Sequence, residues 1–232
     1  RCLSYSLSVL LPVPLSCSVR DRRRSCVTLL IVVVSVAGGL VLGFILAAAR
    51  IFKIPVLKEL AALYISFVRG TPILVQLFVV YYGLPLLVAP LGVDINHWSK
   101  LFFVLVTYLL NDGAFMSEII RSSIESVPKG QLEAAASVGL TTFQTYKRII
   151  IPQAFKNVLP ALVNEFIVLI KETSIIGYIG MMDLTKGAML IQSRTYNAFW
   201  PLMAAAAIYL VIVGILTWGM NKLERRLRTS ER

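Results

Sequence analysis

Residues 27–49 most constrain what this chain can fold into, because they form a run of 23 residues without a charge. A helix needs about 20 predominantly apolar residues to cross the roughly 30 Å hydrocarbon layer of a bilayer. Gly39 and Gly43 within the run form a small-xxx-small pair, which favours close packing against another helix. The run therefore predicts a membrane-spanning helix with one face suited to a tight helix contact.

The composition agrees with a membrane protein. Of the 232 residues, 57% are hydrophobic and 15% are charged, whereas soluble domains carry about 25% charged residues. The net charge of +11 does not indicate nucleic acid, because the basic residues form short clusters between apolar runs instead of one basic surface. The expected surroundings are membrane lipid, and the fold class is an all-α, polytopic membrane protein.

About five spans are predicted, and each is an apolar stretch long enough for a membrane helix. They cover residues 27–49, 57–87, 100–120, 154–176 and 199–220. The second is too long for one upright crossing and contains the sequence RGTP, in which Gly70 permits unusual dihedrals and Pro72 lacks a backbone donor. A long tilted helix or a broken one is expected. Irregular backbone at membrane depth is tolerated only inside protein or beside a wet cavity, so this break is a candidate for a substrate pathway.

The basic residues predict the orientation. With the carboxyl terminus inside, thirteen lysines and arginines after residue 26 lie on the inner side and four on the outer side. The amino terminus is then outside and the carboxyl terminus cytoplasmic.

Residues 1–25 contradict this distribution, because they place five arginines outside. A signal peptide does not explain them, since the basic cluster follows the apolar run. A misassigned start, a frame error or a truncation is the preferred interpretation, and a genuine extra segment is the alternative. The predicted organisation is an atypical segment at 1–25, a transmembrane domain at 26–228 and a tail at 229–232.

Metal and cofactor chemistry is not indicated. The three cysteines all lie within the first 26 residues and match no zinc or redox spacing. His97, the only histidine, has no surrounding ligand set and is expected to be a solvated loop residue.

A mostly polar stretch at 128–152 interrupts the apolar spans. Pro128 is tolerated in the first turn of a helix, Gly139 suits a helix end with positive φ, and Thr141 with Gln144 forms a capping-box pattern. Pro152 is expected to end or kink the second helix. The stretch predicts a helix–turn–helix knob outside the membrane.

This stretch resembles the EAA loop of binding-protein-dependent ABC importer permeases. The matching residues stand at the family spacing: Glu133, Ala134, Ala135, Gly139, Ile151 and Pro152. The sequences FVRGTPILVQ and GAFMSEIIRSSIESVPKGQLEAA are similar to the polar amino-acid branch, and the resemblance covers about residues 26 to 228.

The resemblance implies a type I importer permease in a bacterial inner membrane. Its loop would be the coupling helix that docks on a cytoplasmic ATPase dimer. A second permease chain and an extracytoplasmic substrate-binding protein would complete the transporter. The chain has no phosphate-binding GxxxxGK[ST] motif, so we expect a transport subunit without its own catalytic residues.

Ionisable residues at membrane depth are candidate functional groups. Glu118 and Arg121 lie one turn apart, which predicts an intrahelical ion pair. Asn164 and Glu165 lie halfway along the fourth span and either line the pathway or bond to a neighbouring helix.

The resemblance further matches Gly70, Thr71, Asn164 and Glu165 to positions that line an amino-acid site. Asp112 stands where the family usually has a small or neutral residue. If it faces the pathway, it favours a basic substrate such as arginine, lysine or histidine, with glutamine or glutamate as alternatives.

Two other functions fit the sequence less well. An autonomous ion-coupled carrier usually shows inverted repeats, which this sequence lacks. An intramembrane enzyme would need a paired nucleophile and base or a metal cluster in a span, and the predicted spans contain neither pattern.

Overall fold

The computed structural model describes residues 19–229. Every regular element in that range is helical, which confirms the all-α class. The α-helices are α1 (Val19–Ile51), α2 (Leu57–Gly70), α3 (Ile73–Phe78), α4 (Leu84–Val88), α5 (Lys100–Glu125), α6 (Lys129–Ser137), α7 (Thr142–Thr145), α8 (Ile151–Glu172), α9 (Leu184–Thr195) and α10 (Phe199–Thr229). Of the atypical segment, residues 1–18 lie outside the described range, as do the last three residues of the chain, and residues 19–25 belong to α1.

Short π and 3₁₀ elements join several of these helices into longer rods. A π-helical turn at Val79–Gly83 connects α3 to α4, and a 3₁₀ turn at Ala89–Leu91 follows. A second π-helical turn, Tyr146–Ile150, leads into α8. A 3₁₀ segment, Thr173–Ile179, follows α8.

Four segments of the described chain are long and apolar enough to cross a membrane. They are Leu30–Ile51, Ile73–Leu91, Lys100–Glu125 and Phe199–Lys222. A fifth helix, α8, has 22 residues and lies antiparallel to α5. At one end the Asn157 amide donates to Ser126 Oγ at 2.9 Å, and at the other the Tyr108 hydroxyl donates to the Glu172 carbonyl at 2.6 Å. With 22 residues α8 is about 33 Å long, so it is long enough for the predicted fourth crossing.

Helices α1 and α5 pack parallel and unusually close. A Cβ built on Gly39 would lie 2.6 Å from Asp112 Cβ, and one on Gly43 would lie 2.6 Å from Met116 Cβ. The contacts advance along both helices in the same direction, so the two run parallel. The predicted close-packing role of this glycine pair is confirmed.

After the RGTP sequence, the segment Ile73–Leu91 carries the chain back across the bundle before α5 begins. We call it the return segment. Gln76 bonds to Asn111, and the Tyr81 ring lies 5.4 Å from the Phe103 ring, so this segment runs antiparallel to α5. Of the two expected forms of the second span, a tilted helix and a broken one, the structure has the broken one. The first piece, α2, lies against α5, where the Tyr64 hydroxyl donates to the backbone carbonyl of Leu110 at 2.5 Å.

The main apolar core lies where α1, the return segment, α5 and the end of α8 meet. Its fully or nearly fully buried members are Ile31, Val32, Leu77, Val104, Tyr108, Leu169, Ile176 and Ile179.

The loop between Leu91 and α5 contains the only histidine. His97 has an exposed side chain whose Nε2 lies 3.6 Å from an Asp94 oxygen. Hydrogen bonds from the backbone and side chain of Asn96 lower the pKa of Asp94. The prediction that His97 is a solvated loop residue is confirmed.

Candidate functional site

The polar stretch at 128–152 forms the predicted helix–turn–helix knob. Pro128 immediately precedes α6, and Gly139 adopts φ +80° in the turn after it. Thr141 Oγ1 accepts from the backbone N–H of Gln144 at 3.3 Å, and Gln144 Oε1 accepts from that of Thr141 at 3.0 Å. Both the positive-φ glycine and the capping box were predicted, and both are confirmed.

The second helix of the knob does not end at Pro152. Ile151 and Pro152 are the first two residues of α8, and both are exposed. The π-helical turn Tyr146–Ile150 directly precedes them. α7, this turn and α8 follow one another without a gap, so they form one continuous helical rod.

The tip of the knob combines polar and apolar exposed side chains. Glu133 and Ala134 are exposed, whereas Ala135 is buried inside the knob. Val138 and Phe143, which sequence reasoning missed, are 76% and 75% exposed. Large apolar side chains this exposed beside a polar helix mark a surface suited to a protein partner.

The base of the knob is packed on the membrane helices. Val127, Ile150 and Ala154 form a buried cluster between the end of α5 and the start of α8. The Tyr146 ring also lies 6.1 Å from the ring of Phe52, which follows α1. The tip is therefore exposed while the base is anchored to three membrane helices.

A charge cluster around Glu118 lies deeper in the bundle. The predicted pair with Arg121 is present, with Arg121 Nε donating to Glu118 Oε2 at 3.2 Å. Arg50 of α1 donates to the same carboxylate at 2.8 Å, and an Arg69 nitrogen of α2 lies 4.0 Å from it. The expected intrahelical pair is thus part of a network that joins α1, α2 and α5.

Glu165 and Asn164 lie on α8 near this cluster. Glu165 is half-buried and lies within electrostatic range of the Arg69 guanidinium and the Asp112 carboxyl group. Asn164 is exposed. Among residues 30–222, no residue forms a hydrogen bond with either side chain. Both side chains therefore retain polar groups that can bind a ligand.

Asp112 lies in a different environment from the other predicted site residues. Its side chain is fully buried between α1 and α5, against Gly39. Neither carboxyl oxygen has a hydrogen-bond partner in the described part of the chain. Asp112 is therefore sealed inside the contact between α1 and α5, apart from the exposed residues of the candidate site.

The break between α2 and α3 forms a third element of this region. Gly70 is exposed, and Thr71 has an extended backbone with φ −121° and ψ 143°. The Thr71 hydroxyl donates to the carbonyl of Phe67 at 2.9 Å. Gln76, which sequence reasoning missed, lies over the break. The sequence feature that could have identified Gln76 is its position as a single amide, one turn after Pro72, in an otherwise apolar run.

Arg69 connects these elements. It directly precedes Gly70, lies beside Glu118, and faces Phe115 with its guanidinium carbon 5.5 Å from the ring centroid. Arg69 thus joins the break to the Glu118 network and lies within electrostatic range of Glu165, while Asp112 is buried between α1 and α5.

Sequence comparison identifies the family. The family of inner-membrane components of binding-protein-dependent transport systems matches residues 39–229. This chain belongs to that family. The L-cystine permease protein TcyL of Bacillus subtilis is 39% identical over 206 residues, covering 88% of this permease and 86% of the relative. The arginine permease protein ArtQ of the same organism is 42% identical over 206 residues, covering 88% and 91%.

A solved structure supports the same assignment. The crystal structure of an amino acid ABC transporter with histidines matches this permease with a TM-score of 0.77 and 40% identity, over 86% of this chain and 90% of the other. The resemblance to ABC importer permeases of the polar amino-acid branch is therefore confirmed, together with the helical membrane fold.

Proposed function

We propose that this permease forms the translocation path of an ATP-driven importer for polar amino acids. A separate ATPase subunit drives it through the knob at 128–152. The observation that carries the proposal is the knob itself, a capped helix–turn–helix with Val138 and Phe143 exposed at its tip. A membrane bundle has no need of such an apolar tip unless another protein covers it.

The construction of the knob suits force transmission. Its base is buried against α5 and α8, and it reaches α1 through Phe52 and Tyr146. Because packed helices move as rigid bodies, displacement of the tip by a closing ATPase dimer would rotate these helices together. Glu165 lies on α8, so the same movement would reach the proposed substrate site.

The substrate site combines groups of both charges. Glu165 can hold an ammonium or guanidinium group, and Arg69 can hold a carboxylate. Asp112 is sealed between α1 and α5 and does not line this site, so the preference for a basic amino acid rests on the Glu165 carboxylate. Asn164 supplies a neutral amide beside Glu165. Cystine and arginine relatives support an amino-acid substrate without deciding which one.

The remaining features follow from the basic residues and the family. We place the amino terminus outside and the knob and carboxyl terminus in the cytoplasm of a bacterium, because basic residues concentrate on that side. The partners are an ATPase dimer, a second permease chain and an extracytoplasmic substrate-binding protein.

The test compares Gly139→Val with the matched control Gly130→Val in the reconstituted transporter. Both glycines lie on the knob, and a side chain at either position meets open space, but only Gly139 has positive φ. The unfavourable conformation costs a β-branched residue at least about 1–2 kcal/mol. We expect Gly139→Val to lose uptake and stimulated ATPase activity while the control retains both. Wild-type coupling in a normally assembled Gly139→Val transporter would refute the assignment.

A further inference from the structure

The break between α2 and α3 exposes backbone groups that need partners at membrane depth. Pro72 provides no N–H, so the carbonyl of Val68 loses the donor that a continuous helix would supply. It keeps only a long hydrogen bond, 3.5 Å, from the backbone N–H of Thr71. The extended backbone of Thr71 turns its own carbonyl out of the helix as well. An unpaired backbone group away from water is costly, so the observed conformation depends on whatever satisfies these carbonyls.

A single side-chain amide supplies the short hydrogen bonds to both carbonyls. Gln76 Nε2 lies 2.7 Å from the carbonyl oxygen of Val68, 3.0 Å from that of Thr71 and 2.9 Å from Thr71 Oγ1. An amide nitrogen has two hydrogens, so these three contacts use its full donor capacity. Gln76 thereby joins the last turn of α2 to the first residue after it.

The orientation of this amide is fixed from another helix. Asn111 of α5 donates from Nδ2 to Gln76 Oε1 at 3.0 Å and is almost fully buried. With that oxygen engaged, the Gln76 nitrogen must face the break. Asn111 directly precedes Asp112 on α5, the helix that also carries Glu118.

The Thr71 hydroxyl is committed by the same arrangement. Its proton goes to the carbonyl of Phe67, and one of its lone pairs accepts from Gln76. A ligand at the break would therefore meet the backbone and one remaining lone pair, not a free hydroxyl donor.

We infer that Gln76, oriented by Asn111, is a positioning residue that holds the break at Gly70 and Thr71 in its extended form and couples that form to α5. The inference deepens the proposed function and rests on it, since the break is taken to belong to the substrate site. Gln76 acts through the backbone of the break and does not itself need to touch the substrate.

The experiment replaces Gln76 with methionine, which keeps the length and removes all hydrogen bonding. The control is Gln192→Met on α9. This glutamine is half-buried, and its side chain forms no hydrogen bond with any of residues 30–222. Uptake of L-arginine, L-glutamine and L-cystine is measured in proteoliposomes with the ATPase and binding protein. We expect about a tenfold rise in apparent KM for the transported amino acid, with kcat and basal ATPase activity within twofold of wild type. The control should match wild type.

Asn111→Leu tests the orienting step. Alone it should raise KM about threefold, because the Gln76 amide is then free to turn. Combined with Gln76→Met it should add nothing, since the amide that it orients is gone. Effects that multiply in the double variant would overturn the coupling to α5.

Amide hydrogen exchange in nanodiscs reads the break without transport. Gln76→Met should speed exchange at least tenfold at residues 71–77 and leave the middle of α5 unchanged. Unchanged exchange at the break would overturn the inference, and so would faster exchange with unchanged KM. A wild-type transporter that imports none of these three, nor lysine, histidine or glutamate, would overturn the proposed function, while the exchange result would still decide the role of Gln76.

Discussion

The contact between α1 and α5 gives a quantitative prediction about stability. A Cβ at Gly43 would lie 2.6 Å from Met116 Cβ, 2.8 Å from the backbone nitrogen of Ser117 and 3.0 Å from the backbone carbon of Met116. Two of these three neighbours are backbone atoms of α5, which cannot move without shifting the helix. Gly43→Ala should therefore force the two helices apart.

The control is Gly214→Ala on α10, where an added Cβ meets nothing within 4 Å. Both changes occur inside membrane helices, so the gain in helix propensity of about 1 kcal/mol cancels between them. What remains is the cost of overpacking, about 1–3 kcal/mol. For a chain of this length this corresponds to a difference in Tm of about 2–12 °C.

The assay is thermal unfolding of the purified permease in detergent, followed by fluorescence-detected size exclusion. We expect Gly43→Ala to unfold below wild type and Gly214→Ala at or above it. Equal midpoints for the two variants would refute the close contact between α1 and α5.

Three further predictions concern the charged residues and the amino terminus. Glu165→Gln should weaken substrate-dependent ATPase stimulation about 10- to 100-fold through loss of a charge-assisted hydrogen bond, with basal activity unchanged; an unchanged apparent affinity would exclude Glu165 from the site. Glu118→Gln should lower the free energy of unfolding by about 1–3 kcal/mol, because Arg50 and Arg121 lose a shared partner. The control is Glu125→Gln, at the exposed end of the network, which should lower the free energy of unfolding by less than about 1 kcal/mol. Deletion of residues 1–25 should leave insertion and transport intact, and a loss of both with normal expression would show that the segment is required.

Local sequence rules predicted the features that depend on neighbouring residues. The capping box at Thr141 and Gln144 and the positive φ of Gly139 are satisfied within a few residues of chain. The break at Gly70 follows from a glycine and a proline within three positions. The close-packing role of Gly39 follows from its spacing to the next small residue.

Features that depend on distant residues could not be predicted in the same way. The ion pair of Glu118 with Arg121 lies within one helix, but its bond to Arg50 joins positions 68 residues apart. Gln76 acquires its role only when Asn111 approaches from α5. Burial of Asp112 depends on Gly39 of α1, so the sequence identified an unusual carboxylate without showing that it faces away from any open path.

Pro152 illustrates a limit of local rules. A proline after an apolar run favours a helix end, yet α8 starts one residue before it and continues through it. The π-helical turn that precedes it joins the knob to α8 without interruption. Sequence periodicity does not reveal such a turn, because the residues of Tyr146–Ile150 fit an ordinary helix equally well.

The central claim is that the knob is the joint to the ATPase subunit, and binding of the purified ATPase to the permease in nanodiscs tests it most directly. The perturbation is the double change Val138→Ser and Phe143→Ser, and the control is Val93→Ser, an exposed apolar residue in the loop that precedes α5. Burial of a valine or phenylalanine side chain contributes about 1.5–3 kcal/mol. We therefore expect the Kd to rise at least about tenfold for the double variant and to stay unchanged for the control. An unchanged Kd for the double variant, with the knob folded, would contradict the claim.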